Sequence, residues 1–319
     1  MKNIPIFRFL AVLPLLALMM GSGTISEPKA EIYPLDGMEA PVYYVTDKPL
    51  SEGDTCELAV IMIHGWYGGV QVLKEQYTLM TTFEDAYIVS PLYPRTQTME
   101  SRKIAKDGRA IWNDSWPRDL TIQGTPDDDW RGGGDANGTS MSSYDVVDEV
   151  LAQLSDREKY PNLKRIALIG YSAGGQFVDR YVAVGKGAVR EGITLVYAAM
   201  SPSTFLVPTS TEIWHYGISN RPRYCRETSD EQIMENLRQR RCLYGCGALD
   251  TREGSLDKTP PAMKQGANRI ERYRNFKALV EKDPHRAAVT VFHTFDSLAH
   301  ESLKTYTDPF FVGYVKGDK

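Results

Sequence analysis

Arg165-Ile166-Ala167-Leu168-Ile169-Gly170-Tyr171-Ser172-Ala173-Gly174-Gly175-Gln176 is the stretch on which the fold turns. A β-branched apolar run leads directly into Gly-x-Ser-x-Gly, and the residues beyond, with Gln176, Val178 and Tyr181, carry a helical pattern. The five-residue pattern alone arises often by chance. A strand before it and a helix after it make it a tight strand-to-helix turn in which flanking glycines let the serine adopt a strained backbone. Such a turn holds the Ser172 hydroxyl above the sheet edge and sets the Ala173 amide at a helix N-terminus, where an oxyanion is stabilised. Ser172 is the candidate nucleophile and Ala173 a candidate oxyanion donor.

Outward from this turn, apolar segments alternate with helical ones, as in an α/β domain whose mostly parallel sheet is covered on both faces. Strands are expected near 41–45, 58–63, 86–90, 165–170, 193–199, 241–246 and 288–294. Helices are expected near 70–82, 142–157, 173–186, 229–239 and 265–282. Ser142 with Asp145 forms a capping box, and Tyr144, Val147, Leu151 and Leu154 share one helix face. Two excursions break the alternation, 91–140 and 201–230. The first is rich in Gly, Asp and Trp, and loops of that length in compact enzymes are usually functional lids or disordered; its tryptophans favour an ordered excursion over the active-site end. With 319 residues, one domain over 31–319 accommodates all of this.

Lys2 and Arg8, the apolar stretch Phe9 to Met20 and then Gly21-Ser22-Gly23 match the regions of a secretory signal peptide. Cleavage is expected at about 23, with a boundary reaching to about 26. The apolar stretch is short for a bilayer span of about 20 residues, so a secreted or periplasmic protein without stable membrane insertion is expected. The formal charge of −4 and the lack of a Lys/Arg block argue against nucleic acid as a partner. In an oxidising compartment, Cys56, Cys225, Cys242 and Cys246 are expected to form disulfides, with Cys225 bridging to Cys242 or Cys246. Zinc bound by these cysteines and His215 fits no standard finger spacing. Asp127-Asp128-Asp129 fails the calcium-loop pattern, because Arg131 occupies a ligand position, and reads as a solvated acidic loop. No cofactor is implied.

A serine hydroxyl needs a base and a group that orients the base. Chemistry in a parallel sheet gathers at the carboxyl ends of strands. His285 precedes the last expected strand and His293 lies within it, whereas His300 follows it by a short loop. Asp250 follows the segment Cys242 to Gly247, with Asp257 and Asp296 as weaker alternatives. The order Ser172, Asp250, His300 is then the serine, acid, histidine order of one hydrolase fold. A second oxyanion donor is expected from His64-Gly65-Trp66-Tyr67-Gly68-Gly69, which follows the strand Leu58 to Ile63. The Trp66 amide is the candidate, Tyr67 the neighbour in doubt, and His64 the support of the turn. Tyr67, Tyr171, Trp112, Trp116, Trp130 and Trp214 are candidate walls of an aromatic substrate pocket.

The His64-Gly65 loop, the Gly170–Gly174 elbow and the placement of Asp250 and His300 together resemble the α/β-hydrolase superfamily. The likeness spans about 41 to 310. Trp130-Arg131-Gly132-Gly133, Ser143-Tyr144-Asp145-Val146-Val147-Asp148, Gln176 to Tyr181 and Gln265-Gly266-Ala267-Asn268-Arg269 look like those of secreted hydrolases. The resemblance implies a serine esterase acting on a small-molecule, glycan or lipid ester. Ser at 172, where epoxide hydrolases and dehalogenases carry Asp, argues against their chemistry. Two other readings are a serine peptidase of this fold and a non-catalytic binding protein that keeps the scaffold.

Overall fold

The computed structural model describes residues 29–66, 68–96, 99, 108–113 and 129–318. The signal-peptide expectation for residues 1–23 lies outside them. One eight-stranded sheet runs in the order β1-β2-β4-β3-β5-β6-β7-β8. Its strands are β1 Glu31–Leu35, β2 Val42–Thr46, β3 Leu58–Ile63, β4 Ala86–Pro91, β5 Arg165–Tyr171, β6 Thr194–Met200, β7 Cys242–Gly247 and β8 Thr290–Phe295. β1 and β2 pair antiparallel, as do β2 and β4; the pairs from β4 through β8 are parallel.

The strands of the parallel part are nearly continuous apolar runs because both faces are covered. Ala59, Ile61, Ile63, Ile166, Leu168, Tyr197 and Ala199 enter one core with α2 (Ser143–Leu154) and α3 (Ala173–Val184). Their alternates Val60, Met62, Ala167, Ile169, Tyr171, Val196, Ala198 and Met200 enter a second core. That core is closed by α1 (Val70–Thr82) and by the C-terminal helix pair Ser302–Tyr306 and Pro309–Lys316. The period-two alternation of a strand thus supplies both layers from one run of sequence.

Differences from expectation have local causes. β1 carries Glu31 and Pro34 and leaves Ile32 exposed, as an edge strand does, so it lacks an apolar period. The helix expected over 265–282 is two: Pro260–Gln265 and α7 (Arg269–Val280), broken at Gly266, whose φ is +146°. Asn268 caps α7 by accepting a hydrogen bond from the Glu271 amide. α1 has the expected bounds, and both halves of the Ser142/Asp145 capping box are formed.

The expected disulfide is not formed. Cys225, in the short helix Arg223–Arg226, points its thiol at the Gly132 carbonyl (3.4 Å), while Cys242 and Cys246 lie in β7 beside the Leu243 and Gly247 carbonyls. Cys225 Sγ lies against Gly133, in the core that Tyr144 also enters. Burial pushes the Cys56 and Cys246 thiols up to about 12, so they behave as small apolar groups. The acidic loop is corrected in part as well: Asp129 is fully buried, and Asp127 and Asp128 lie outside the described residues.

Candidate active site

Three glycines set the elbow by leaving no room for a side chain. A Cβ on Gly170 would lie 2.2 Å from the Gly174 carbonyl oxygen, one on Gly174 2.0 Å from that of Ile63, and one on Gly175 2.5 Å from that of Met200. α3 is thereby drawn down onto the ends of β3 and β6. Ser172, between β5 and α3, has φ 57° and ψ −112°, a strained conformation for a residue with a Cβ. Its amide donates to Met200 O (2.8 Å) and its carbonyl accepts from Gln176 (3.0 Å), so the backbone of the turn is fixed on both sides. A serine at this position ordinarily caps its helix. Ser172 does not, and its hydroxyl is left for other work.

Asp250 and His300 come together from the ends of β7 and β8. His300 Nδ1 and Asp250 Oδ2 are 2.6 Å apart, a short charge-assisted hydrogen bond in which the imidazole nitrogen donates. The carboxylate is wholly buried and the imidazole side chain 21% exposed, so the histidine alone faces the solvent side. With Nδ1 committed, Nε2 is the nitrogen left to accept a proton. The His300 ring packs 4.9 Å from that of Tyr171, the residue before Ser172, and this contact carries the imidazole to the elbow. Ser172 Oγ forms no hydrogen bond to His300 among the described residues.

The loop after β3 is held from two sides. His64 Nδ1 donates to Gly65 O (2.7 Å) and Nε2 accepts from the Tyr93 amide (3.1 Å), which fixes its tautomer. Burial lowers its pKa to about 4 and keeps it neutral. Gly65 runs beside the Tyr171 carbonyl, and Gly68 and Gly69 take positive φ, so the loop turns at the elbow. The Trp66 ring lies beneath two guanidinium groups, Arg95 at 4.1 Å and Arg131 at 4.7 Å. Arg131 is in turn gripped through two nitrogens by Asp129 (3.0 and 2.5 Å).

Several expected pocket walls are packing residues. Trp112, Trp130 and Trp214 have no exposed surface, and Tyr171 is buried beneath His300. Trp130 stacks on Tyr93 and sits 5.0 Å from His64; Trp112 packs edge-on to Tyr93; Trp214 Nε1 donates to Gly132 O (2.8 Å). The described parts of the 91–140 excursion therefore underpin the His64 loop. Tyr67 and Trp116 lie outside the described residues. Of the five tryptophans, Trp66 alone among those described keeps part of its surface exposed. Two surface cavities of about 320 and 340 Å³ are lined by other residues, Lys186, Tyr224 and Arg240 in one, Phe205, Tyr216 and Phe276 in the other. Neither includes Ser172, Asp250 or His300, and concavity is a weaker guide here than the convergence of strand ends. The alternatives are placed elsewhere: Asp257 accepts from Tyr216, and His293 stacks on Phe310. Arg269 ends the hydrolase-like 265–269 run and Asp129 the acidic run already noted in the sequence, but only the folded chain brings them beside the site.

No protein-family model matches the chain, and no curated protein matches it. Solved structures do. Poly(aspartic acid) hydrolase-1 from Sphingomonas sp. KT-1 superposes with a TM-score of 0.64 at 18% identity, covering 91% of this chain and 99% of that one. A poly(3-hydroxybutyrate) depolymerase from Bordetella parapertussis gives 0.63 at 17% identity, covering 91% and 90%. Likeness at this identity speaks to architecture, and with the strand order and the elbow it establishes that this chain has the α/β-hydrolase fold.

Proposed function

We propose that the protein is an exported serine hydrolase that cleaves carboxylic esters through an acyl-enzyme on Ser172. The observation that carries this is the 2.6 Å contact between His300 Nδ1 and buried Asp250, beside an uncapped, strained serine. His300 Nε2 takes the proton as Ser172 Oγ attacks the ester carbonyl. The resulting oxyanion is met by the amides of Ala173 and Trp66, and one such donor contributes about 3 kcal/mol in the transition state. Collapse expels the alcohol, protonated by His300, and leaves Ser172 acylated. Water, activated by the same imidazole, then releases the acid and restores the serine. Asp250 holds the tautomer throughout and stabilises the imidazolium.

The substrate class is a small-molecule, glycan or lipid ester, reached from an extracytoplasmic compartment after removal of the leader around residue 23. Both named structural neighbours are hydrolases, which supports the reaction class. The test is turnover of short-chain p-nitrophenyl esters by the wild type and Ser172→Ala, with a peptide library run in parallel. Ester turnover lost in the variant is expected. Unchanged turnover in Ser172→Ala, or peptide cleavage without ester turnover, contradicts the proposal.

A further inference from the structure

Asp250 uses only one of its two oxygens on His300. The other, Oδ1, is buried and accepts no hydrogen bond among the described residues. An unsatisfied buried carboxylate oxygen is costly, and it calls for a compensating charge. That charge stands at the first position of α7: Arg269 Nη1 lies 3.7 Å from Asp250 Oδ1, with both side chains all but inaccessible to solvent (1% and 0%). The guanidinium also donates to the carbonyls of Arg252 (3.2 Å) and Ser255 (2.8 Å), so it ties the whole 250–255 segment to α7. The Ile270 amide adds a bond to the Asp250 carbonyl (3.3 Å). Burial pulls the Arg269 pKa down and Asp250 pulls it up; an arginine in such a place stays charged.

We propose that Arg269 is a positioning residue for hydrolysis: it fixes the acid loop through two carbonyls and stands against Asp250 Oδ1, with Oδ2 turned to His300. This rests on the assignment of Ser172, Asp250 and His300 given above. Arginine suits this position because its planar fork serves two carbonyls and a carboxylate at once, which a lysine ammonium on a flexible stem does less well. The other groups that face this pair are Tyr171 from the elbow, Cys246 from β7, Arg252 from the acid loop, and Arg274 from α7, which acts on Cys246. Burial keeps the Tyr171 and Cys246 protons on well above neutral pH, so Arg269 is the nearest charge to Asp250 Oδ1.

The experiment compares Arg269→Met, Arg269→Lys, Asp250→Asn and the double variant Asp250→Asn/Arg269→Met by p-nitrophenyl ester kinetics across pH, with Ser172→Ala alongside. Expected for Arg269→Met is a kcat lower by roughly 10- to 100-fold, the range seen within one ion-pair network, with KM nearly unchanged. Arg269→Lys should recover part of the loss. In the Asp250→Asn background, where no carboxylate remains to be held, Arg269→Met should cost little further. Where Arg269→Met alone fails to fold, the kcat of Arg269→Lys against wild type decides: a partial loss is expected, and an unchanged kcat overturns the proposal. An unchanged kcat in folded Arg269→Met overturns the proposal, as does an equal loss in both backgrounds. Ser172→Ala turnover separates this from the parent assignment: if it is abolished while Arg269→Met is unaffected, only the role of Arg269 falls.

Discussion

Two of the buried aspartates among the described residues, Asp250 and Asp129, have an arginine and a histidine beside them, and the fold resolves them in opposite ways. Asp250 gives its 2.6 Å contact to His300 and keeps Arg269 at 3.7 Å. Asp129 gives both oxygens to Arg131 and leaves His215 at 3.9 Å. Against the cost of burial, the Arg131 guanidinium holds the Asp129 carboxyl below its usual range. His215, wholly enclosed, has its pKa lowered to about 3 by burial and is neutral, whereas His300 keeps a fifth of its side chain exposed. Which partner receives the short contact decides the role of the pair. A histidine so held is ready to exchange protons, and an arginine so held is a strut. The Asp129 strut carries Arg131 to the Trp66 ring and so reaches the loop after β3.

The sharpest way to break this contrast is to neutralise each aspartate. Asp250→Asn removes the group that fixes the His300 tautomer, and kcat should fall by about 10⁴-fold in a protein that still folds, as ester kinetics will report. Asp129→Asn should act on stability first. It strands Arg131 in a buried site, and the expected loss is about 3–5 kcal/mol in urea unfolding, with kcat per folded molecule reduced by less than about tenfold. A larger rate loss from Asp129→Asn than from Asp250→Asn reverses the assignment of strut and acid.

The buried histidines make a smaller, pH-dependent difference. His64 and His215 have folded pKa values of about 4 and 3, below the usual 6.5, because burial disfavours the cation. The unfolded chain therefore takes up protons first as the pH falls. The stability they contribute is complete above about 6.5 and is lost progressively down toward their folded values, each adding a slope of up to about 1.4 kcal/mol per pH unit. Urea midpoints at pH 7, 6 and 5 should decline accordingly, and the slope should flatten in His215→Gln. The smallest effect belongs to the far side of the His300 loop, where Ser302 Oγ donates to buried Glu75 (2.6 Å) on α1, the helix that follows the loop after β3. Ser302→Ala should cost about 1–2 kcal/mol by the same unfolding assay and leave kcat within about threefold.

What the chain discloses before folding is what local chemistry encodes. The elbow, the bounds of α1 and the Ser142 capping box all follow from neighbouring residues, and the carboxyl ends of β7 and β8 locate Asp250 and His300 once a parallel sheet is assumed. The side on which a large ring is buried is not local. Trp112, Trp130 and Trp214 read equally well as pocket walls or as core, and Tyr93, His64 and Gly132, all distant in sequence from at least one of these rings, decide for core. The same holds for the cysteines, whose clustering between 225 and 246 says nothing of the Gly132 carbonyl that Cys225 faces. The 265–269 run marks Arg269 in the sequence, but its place against the acid loop is seen only once α7 is laid there.

Covalent trapping is the most direct test of Ser172 as the nucleophile. Wild-type protein incubated with a fluorophosphonate and digested for mass spectrometry should carry a single adduct on the peptide containing Ser172, strongly slowed in His300→Ala and missing in Ser172→Ala. An adduct on another residue, or none on folded protein that still hydrolyses esters, contradicts that role.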